Sequence, residues 1–452
     1  MAYIRSFSLC LVLALSLVCS AQSIDRAHYL ELRQKMAERA AQKDWQGARE
    51  LLAQMGRELP APTPRYLLTV ASIEARLGHK AEALQWLQKY ADTGLSYGVA
   101  QDDDLKPLLS DPAGQKIVAQ MKQRGQPIAK TELVCSLPQA DIMPEDIAYL
   151  KSADAKTPGS FFVSSIQHHT LYRVSLPQAG SKQCAIQEVP LPPEAKRWPT
   201  LAVSADPTRK VIWLSSSAMP GFSGFPKEDS GKALLLEIDA ASGKLLHSFD
   251  PGATGPAVLG DMCVTADGTV YITDSIGGGV YRLRGDPQTA RLEKIAGGLF
   301  SPQTPALARD GKRLFVADYT MGVAVIDLSS PNPAGPVNYL PHPANVAIVA
   351  LDGLYIDGDS LLGIQNGTDP IRILRLQLNH AQTEIVSAEV IEQASERMGD
   401  PTHAVLVDGW FYVSGNVGWS KVDDNTGELK PGQKFTPPVL LRFPAQASGK
   451  GR

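Results

Sequence analysis

The spacing of apolar residues divides the chain into a helical part and a strand-rich part. Between residues 24 and 130, stretches such as HYLELRQKMAERAAQKDWQGARELLAQM place apolar side chains three and four positions apart. That period is typical of amphipathic helices. After QRGQPIAK, short runs of alternating apolar and polar residues separated by turn residues continue almost to the C-terminus, which is typical of strands. We therefore predict a mainly β protein with an α domain over 24–130 and a β domain over 131–445.

The strand-rich part repeats one unit six times. Each unit has a short apolar strand, a turn, an aromatic-rich strand, a loop and a further strand, and the units start about 43 to 61 residues apart. Their first strands begin near PEDIAYL, PTLAVSAD, GDMCVTADG, QTPALARDG, DGLYIDGDS and THAVLVDG. This spacing fits four-stranded blades and predicts a six-bladed β-propeller. TELVCSLP, just before the first unit, is predicted to be the outer strand of the last blade, and residues 446–452 to be a disordered tail.

The helical part contains an internal repeat. KDWQGA (43–48) aligns with GHKAEA (78–83), and each places an alanine on a helix that follows a turn. This logic of stacked helical hairpins resembles a tetratricopeptide repeat. The resemblance implies a short array over 24–130 that binds a protein partner. A helical spacer packed on its neighbour is the alternative.

The N-terminus predicts export. Arg5 precedes the apolar run LCLVLALSLVCSA, which ends in small residues near Ala21. We interpret 1–21 as a signal peptide and expect a periplasmic or secreted protein without a membrane span. Cys19 suggests a lipoprotein site, but Val18 stands where a small residue is expected, so this alternative is less favoured. Of the 452 residues, 44 are Lys or Arg and 47 are Asp or Glu. This near balance gives no reason to expect a nucleic-acid partner.

Three cysteines follow the predicted signal peptide. Cys135, Cys184 and Cys263 are an odd number, so at least one is free or pairs with another chain. The sequence leaves the pairing open. Without close spacing or a CxxC motif they do not predict a metal or redox site.

Propeller geometry predicts a ligand face. The first strand of every blade begins beside the central channel, and the loop between the second and third strands opens on the same face. At the ends of the second strands, this places six polar side chains that we assign to binding a small molecule or peptide: His168, His169, Asp274, Asp318, Asn366 and Asn416. SSSAMPGFSGFPKEDSG, interpreted as the longest loop on this face, is a candidate lid.

The six-blade pattern with PED, DG…G and GTVYITDS resembles the senescence marker protein/gluconolactonase superfamily, which has strictosidine synthase-like and paraoxonase-like relatives. The resemblance covers about 131–445. For members that are lactonases it implies one divalent cation, Ca²⁺ or Mg²⁺, held at the channel mouth by a Glu, two Asn and an Asp. Glu145 and Asp352 match the Glu and the Asp. Gln303 stands at one Asn position, and Gly260, followed by Asp261, stands at the other.

The same resemblance implies a carboxylate that assists proton transfer. On this basis Asp352 is a candidate catalytic residue, and His403, at the start of the sixth unit, is a second. Asp261 is a possible replacement ligand, but the loss of the preceding Asn favours a structural role at the strand end.

Two functions follow from these observations. The incomplete ligand set and the added helical domain favour an exported binding protein, with a small molecule or peptide on the propeller face and a protein on the helices. The alternative is a divalent-metal-dependent lactonase or ester hydrolase with a modified metal site. A metal-free enzyme of the strictosidine synthase type, with Glu145 or His403 as base, is a third possibility.

Overall fold

The computed structural model describes residues 23–96, 98–152, 158–178 and 180–445. The predicted signal peptide and the predicted disordered tail lie outside the described residues. Within the described ranges, no helix combines the length and the apolar character needed to cross a bilayer.

The helical region begins with a short strand, β1 (Ser23–Ile24), and continues as helices. Its helices in the described residues are α1 (Arg26–Ala41), α2 (Trp45–Glu58), α3 (Pro64–Arg76), α4 (Lys80–Asp92), α5 (Lys106–Leu109) and α6 (Pro112–Arg124). Helix α1 contacts α2, and α3 contacts both α2 and α4. Ala48 and Ala83, the two alanines of the repeat, are fully buried, as close helix packing requires.

Short polar side chains fix where the helices start. Asp25, Asp44, Thr63 and Asp111 each accept a backbone N–H from the first turn of the helix that follows. These bonds satisfy donors that have no partner inside the helix. The same four residues therefore set the lengths of the turns between the helices.

The described strands form six antiparallel sheets. Two strands, β2 (Ile128–Ala129) and β3 (Glu132–Ser136), precede the first unit. The strands of the first three units are β4 (Ile147–Leu150), β5 (Ser160–Ser165), β6 (Thr170–Ser175), β7 (Ala185–Glu188), β8 (Thr200–Asp206), β9 (Val211–Ser217), β10 (Ala233–Asp239), β11 (Leu245–Phe249), β12 (Leu259–Val264), β13 (Val270–Asp274), β14 (Gly279–Leu283) and β15 (Glu293–Ala296). Those of the last three are β16 (Pro302–Leu307), β17 (Arg313–Asp318), β18 (Gly322–Asp327), β19 (Val337–Tyr339), β20 (Leu351–Asp357), β21 (Ser360–Gln365), β22 (Arg372–Leu378), β23 (Ile385–Gln393), β24 (Ala404–Val407), β25 (Trp410–Gly415) and β26 (Val439–Pro444).

In five sheets four consecutive strands follow the chain order, whereas the sixth takes its outer strand from before the first sheet. Sheets one to five begin with β4, β8, β12, β16 and β20, and sheet six has the order β24-β25-β26-β3. The first strands of successive sheets contact each other, and β24 contacts β4. The protein is thus mostly β, with a β-propeller-like arrangement of antiparallel sheets around an axis.

The contact between the last sheet and the first is reinforced covalently. Strand β3 pairs with β26, as expected for TELVCSLP. Cys135 of β3 forms a disulfide with Cys184, which lies just before β7 of sheet one. Cys263 is the free cysteine of the described chain.

The two ends of the helical region are built into the sheets. β1 pairs with β19 of sheet four, and β2 pairs with β23 of sheet five. The sequence assigned both short segments to the helical domain and predicted no strand in either. Tyr29 of α1 also packs edge-on against Phe300. The helices therefore rest on sheets four and five.

Candidate functional site

The start of the first strands forms one end of the ring, which we call the mouth. In sheets two to five the first strand has a register shift within three residues of its start. In three of these strands the shift spans Asp261, Thr304 and Asp352. Because a bulge turns side chains away from the regular alternation, these irregularities place buried polar groups at the mouth.

Five ionisable residues come together at the mouth, and we call them the mouth cluster: Glu145, Asp146, Asp261, Asp352 and His403. All are buried except Glu145, which is partly exposed. One ligand atom each of Glu145, Asp352 and His403 lie within 4.8 Å of one another. The cluster draws on sheets one, three, five and six, so it exists only when the ring is formed.

His403 is held between a carbonyl and a carboxylate. Its Nδ1 donates to the main-chain oxygen of Glu145 over 2.8 Å, and its Nε2 lies 2.5 Å from Oδ1 of Asp261. The second contact has the distance of an ion pair but poor hydrogen-bond direction, and Oδ2 of Asp261 has no hydrogen-bond partner in the described chain. Burial alone lowers the pKa of His403, but Asp261, Tyr355 and Asp146 outweigh it and raise this pKa well above its usual value. This direction favours the charged imidazolium at neutral pH.

Glu145 and Asp352 each receive a donor from a neighbouring side chain. Nε1 of Trp419 donates to Oε2 of Glu145 over 2.5 Å, and Nδ2 of Asn366 donates to Oδ2 of Asp352 over 2.6 Å. Burial is the main cause that raises the pKa of Glu145 to about 8, and the charge on Asp352 adds to it. Burial likewise raises the pKa of Asp352 to about 6.

Asp146 completes the cluster, and the sequence analysis did not assign it a role. Its carboxylate accepts the backbone N–H groups of Ile147 and Val203 over 2.7 and 2.8 Å, which joins sheets one and two. Burial raises the pKa of Asp146 to about 7. A cavity of about 190 Å³ within the ring is lined by Asp146, His403 and Tyr355. The sequence feature that could have identified Asp146 is the PED motif, in which this second acid directly follows Glu145.

The donors of the cluster fit a hard divalent cation. Carboxylate oxygens are preferred ligands of Ca²⁺ and Mg²⁺, and one oxygen each of Glu145 and Asp352 lie within 4.8 Å of each other. Glu145 and Asp352 are the residues that would hold the cation, whereas Asp261 is outside this group of converging atoms and its carboxylate faces His403. Both ring nitrogens of His403 already face partners, so His403 is better suited to carry a proton than to bind a metal.

Two loops cover part of the mouth. Loop 218–232 of sheet two, which contains most of the predicted lid (215–231), meets loop 416–438 of sheet six. There the rings of Phe222 and Trp419 lie 6.0 Å apart, edge to face. A buried apolar cluster that includes Met143 and Val422 lies beneath them. The prediction that the sheet-two loop is the longest on this face was wrong, because loop 416–438 is longer. Loop 416–438 also supplies Trp419, which donates to Glu145.

Gln303 and Asn366 lie at the mouth with different neighbours. Nε2 of Gln303 donates to Oγ of Ser301 over 3.0 Å, so its amide faces its own strand. Asn366 bonds Asp352 as described and accepts the hydroxyl of Tyr319 over 2.9 Å. The structure thus connects Asn366 to the cluster and holds Gln303 beside it.

The two acids among the six predicted ligand-binding residues, Asp274 and Asp318, accept hydrogen bonds from the backbone of nearby loops. Asp274 accepts the backbone N–H groups of Val258 and Gly277. Asp318 accepts those of Phe300 and Ser301, together with the hydroxyl of Tyr339, over 2.8 to 3.2 Å. These bonds hold neighbouring loops at the strand ends and leave neither carboxylate within the mouth cluster.

The remaining predicted residues lie on the loops around the mouth. Nδ1 of His168 is 2.7 Å from the hydroxyl of Tyr172. His169 has a positive φ of 50°, and burial lowers its pKa. Nδ2 of Asn416 donates to Oγ1 of Thr436 over 2.6 Å, which ties the two ends of loop 416–438 together.

Comparison with known proteins gives fold likeness only. No protein-family model and no curated protein matches the chain. A calcium-binding protein, regucalcin, from Agrobacterium tumefaciens is 14% identical over 70% of this chain and 93% of its own, with a TM-score of 0.45. Virginiamycin B lyase from Staphylococcus aureus is 14% identical over 69% and 98% (TM-score 0.41), and a glucose dehydrogenase 14% over 70% and 100% (TM-score 0.44). At such identities no residue role carries over to this chain.

Proposed function

We propose that this protein is an exported, divalent-cation-dependent hydrolase of lactones or carboxylic esters, with the mouth cluster as its active site. The observation that carries the proposal is the convergence of Glu145, Asp352 and His403 within 4.8 Å. Buried acids of one sign are costly to ionise together, and a divalent cation offsets that cost. In this proposal the six sheets are the blades of a six-bladed propeller.

In this proposal, the protonation state of each residue decides its catalytic role. A cation held by Glu145 and Asp352 would supply Lewis-acid activation of the carbonyl and of a water molecule. Asp352, with a pKa of about 6, is mostly ionised at neutral pH and accepts the proton of the attacking water. Asp352 then returns this proton to the leaving alkoxide, while the charged His403, held by Glu145 and Asp261, stabilises the developing negative charge. The water oxygen bonds to the acyl carbon, the acyl C–O bond breaks, and a hydroxy acid or an acid and an alcohol result.

A binding protein without catalysis, which the sequence favoured, is the second candidate. The observation in its favour is an apolar cleft between the helices and the sheets, described below. A TPR-like array that binds a protein partner belongs to this candidate and stays a prediction. Turnover of any ester at the mouth separates the two candidates.

The test is cation binding by the mature protein, measured by calorimetry with Ca²⁺ and with Mg²⁺ after removal of metals. We expect one equivalent to bind wild type, and Glu145→Gln and Asp352→Asn each to weaken binding at least about tenfold, because each removes one ligand charge. Asp267→Asn is the matched control, since Asp267 serves an exposed turn of sheet three. The proposal fails if neither cation binds at millimolar concentration, or if both cluster variants bind like the control.

If a cation binds, hydrolysis of a panel of lactones and p-nitrophenyl esters follows. We expect turnover by wild type with cation and a large loss of kcat in Asp352→Asn. Cation binding without turnover of any ester would favour the binding-protein candidate.

A further inference from the structure

A cleft of about 710 Å³ lies between the helices and sheets four and five. Trp45 and Leu68 line it from the helical side, and Tyr319, Val349 and Gly367 line it from the loops of the sheets. Its volume is in the range of pockets that hold small organic ligands. Neither domain forms this cleft alone.

The cleft offers apolar surface and few uncommitted charges. At its rim, Nε of Arg76 lies 2.6 Å from Oδ2 of Asp104, and the guanidinium stacks 4.2 Å above the ring of Trp45. Oγ of Ser72 donates to Asp102. Arg65 is exposed and also at the rim. Because the interior is mainly apolar and Arg76 and Asp104 pair with each other, the cleft suits an uncharged, apolar group.

The floor of the cleft is joined to the mouth cluster. Val349 and Ala350 of the floor come just before Asp352, and Gly367 directly follows Asn366. The hydroxyl of Tyr319 donates to Asn366, which donates to Asp352. At Gly367 a Cβ atom would lie 2.1 Å from the Tyr319 oxygen, so only glycine allows the tyrosine to reach this position.

The cleft also lies on the side of the mouth that the two loops leave uncovered. Loops 218–232 and 416–438 meet over sheets one, two and six, with Ser223 donating its backbone N–H to the Thr426 carbonyl. Sheets four and five carry the helices and the cleft instead. The side chains of Tyr319 and Asn366 link the cleft on this side to the Asp352 carboxylate.

We propose that this cleft is the subsite for the uncharged acyl or aryl group of the ligand whose ester or lactone carbonyl reaches Asp352. The position of the ester or lactone carbonyl at Asp352 rests on the proposed function. The binding of an apolar group rests only on the shape and lining of the cleft. The helical region is then part of the binding site, and its contribution is substrate selectivity.

The test uses an uncharged fluorescent probe, N-phenyl-1-naphthylamine, and p-nitrophenyl esters with acyl chains of two, four and eight carbons. Leu68→Asn places a polar group in the cleft. Leu84→Asn is the matched control, because both leucines are half-buried and pack against the same apolar cluster of the helices, but Leu84 does not line the cleft. Val349→Asn tests the opposite wall if Leu68→Asn unfolds.

We expect Leu68→Asn and Val349→Asn to raise the probe Kd about tenfold, the effect of losing one partly buried aliphatic contact, with Leu84→Asn unchanged. For the esters, KM should fall with chain length in wild type but not in the two cleft variants, at similar kcat. Equal Kd and KM in the cleft variants and the control would overturn the inference.

The outcomes separate this inference from the proposed function. Probe binding that depends on Leu68, without cation binding or ester turnover, would support the cleft as an apolar binding site and overturn the proposed hydrolase function. Cation-dependent ester turnover with Kd and KM unchanged in Leu68→Asn and Val349→Asn would support the hydrolase function and overturn the role of the cleft.

Discussion

His403 and Asp261 form an ion pair across the channel, with Nε2 and Oδ1 2.5 Å apart and both side chains buried. Asp261 comes from sheet three and His403 from sheet six, two sheets that lie opposite each other in the ring. The sequence favoured a structural role for Asp261 at a strand end. The structure instead directs its carboxylate to the one histidine of the cluster.

This pair predicts the effect of neutralising Asp261. In Asp261→Asn the pKa of His403 should fall, because the largest favourable charge on the imidazolium is removed and burial then dominates. A titration of the histidine ring signals by NMR measures this. We also expect a loss of about 3–5 kcal/mol of stability, the cost of leaving a buried charge unpaired. Asp267→Asn is the control, and an unchanged His403 titration would contradict the ion pair.

The raised acid pKa values predict that the metal-free protein is less stable at pH 8 than at pH 5. Glu145, Asp146 and Asp352 have folded pKa values of about 8, 7 and 6 against ordinary values of 4.5, 3.8 and 3.8. The folded state therefore binds more protons than the unfolded state between about pH 4 and 8, and stability falls as pH rises through this window. His403 has the same sign, since its raised pKa stabilises the fold below 6.5 and this gain is lost at higher pH.

Thermal unfolding between pH 5 and 8 measures this effect. We expect the Tm of wild type to decrease by a few degrees, Glu145→Gln to reduce the decrease, and millimolar Ca²⁺ to restore stability at pH 8. Cation affinity should rise over the same pH range, because binding releases the protons of the carboxyl groups. A Tm that increases from pH 5 to 8 would be inconsistent with these pKa values.

Replacing Gly260 by asparagine should increase the affinity of the mouth for Ca²⁺. This residue stands where the resemblance places an asparagine ligand, and a Cβ atom there would meet Ser275 no closer than 3.6 Å. Since the position has room for a side chain, Gly260→Asn should add an amide oxygen at the mouth and raise Ca²⁺ affinity several-fold. Gly260→Ala controls for the backbone, and calorimetry compares the two. Equal affinities would show that the amide does not reach the cation.

The disulfide at the contact between the last and first sheets predicts a stability difference among cysteine variants. Cys135 and Cys184 are separated by 49 residues, so the bond restricts a long loop of the unfolded chain. Cys135→Ser combined with Cys184→Ser should cost about 2–4 kcal/mol, measured by denaturant unfolding. Cys263→Ser, which removes the free thiol, should change stability far less. Similar losses in both variants would contradict this role.

Much of the fold could be predicted because it depends on local pattern. The helical period of 24–130, the strand units and the outer strand TELVCSLP each leave a signal in neighbouring residues, and the structure has helices and strands at these places. The short strands β1 and β2 were missed because two residues carry no period. They are strands only because β19 and β23 lie beside them.

For the site, the sequence identified side chains and the tertiary structure decided their partners. Glu145, Asp352, Asp261 and His403 could be named from strand starts, because the unit repeat fixes which residues begin a first strand. Asp146 and Trp419 were missed, since the bulges and the long loop that position them follow from packing between sheets. Gln303, Asp274 and Asp318 show the converse. Their place in the repeat could be predicted, but hydrogen bonds to nearby groups engage Nε2 of Gln303 and the carboxylates of Asp274 and Asp318.

The sequence by itself therefore determined the order and type of the longer elements, four of the ionisable residues at the mouth and the amphipathic character of the helices, because these depend on spacing along the chain. Only the tertiary structure decided that His403 pairs with Asp261, that Cys135 pairs with Cys184, and that the helices cover sheets four and five to leave a cleft. Each of these joins residues far apart in sequence. Such contacts form only when the sheets and helices pack together in the folded chain.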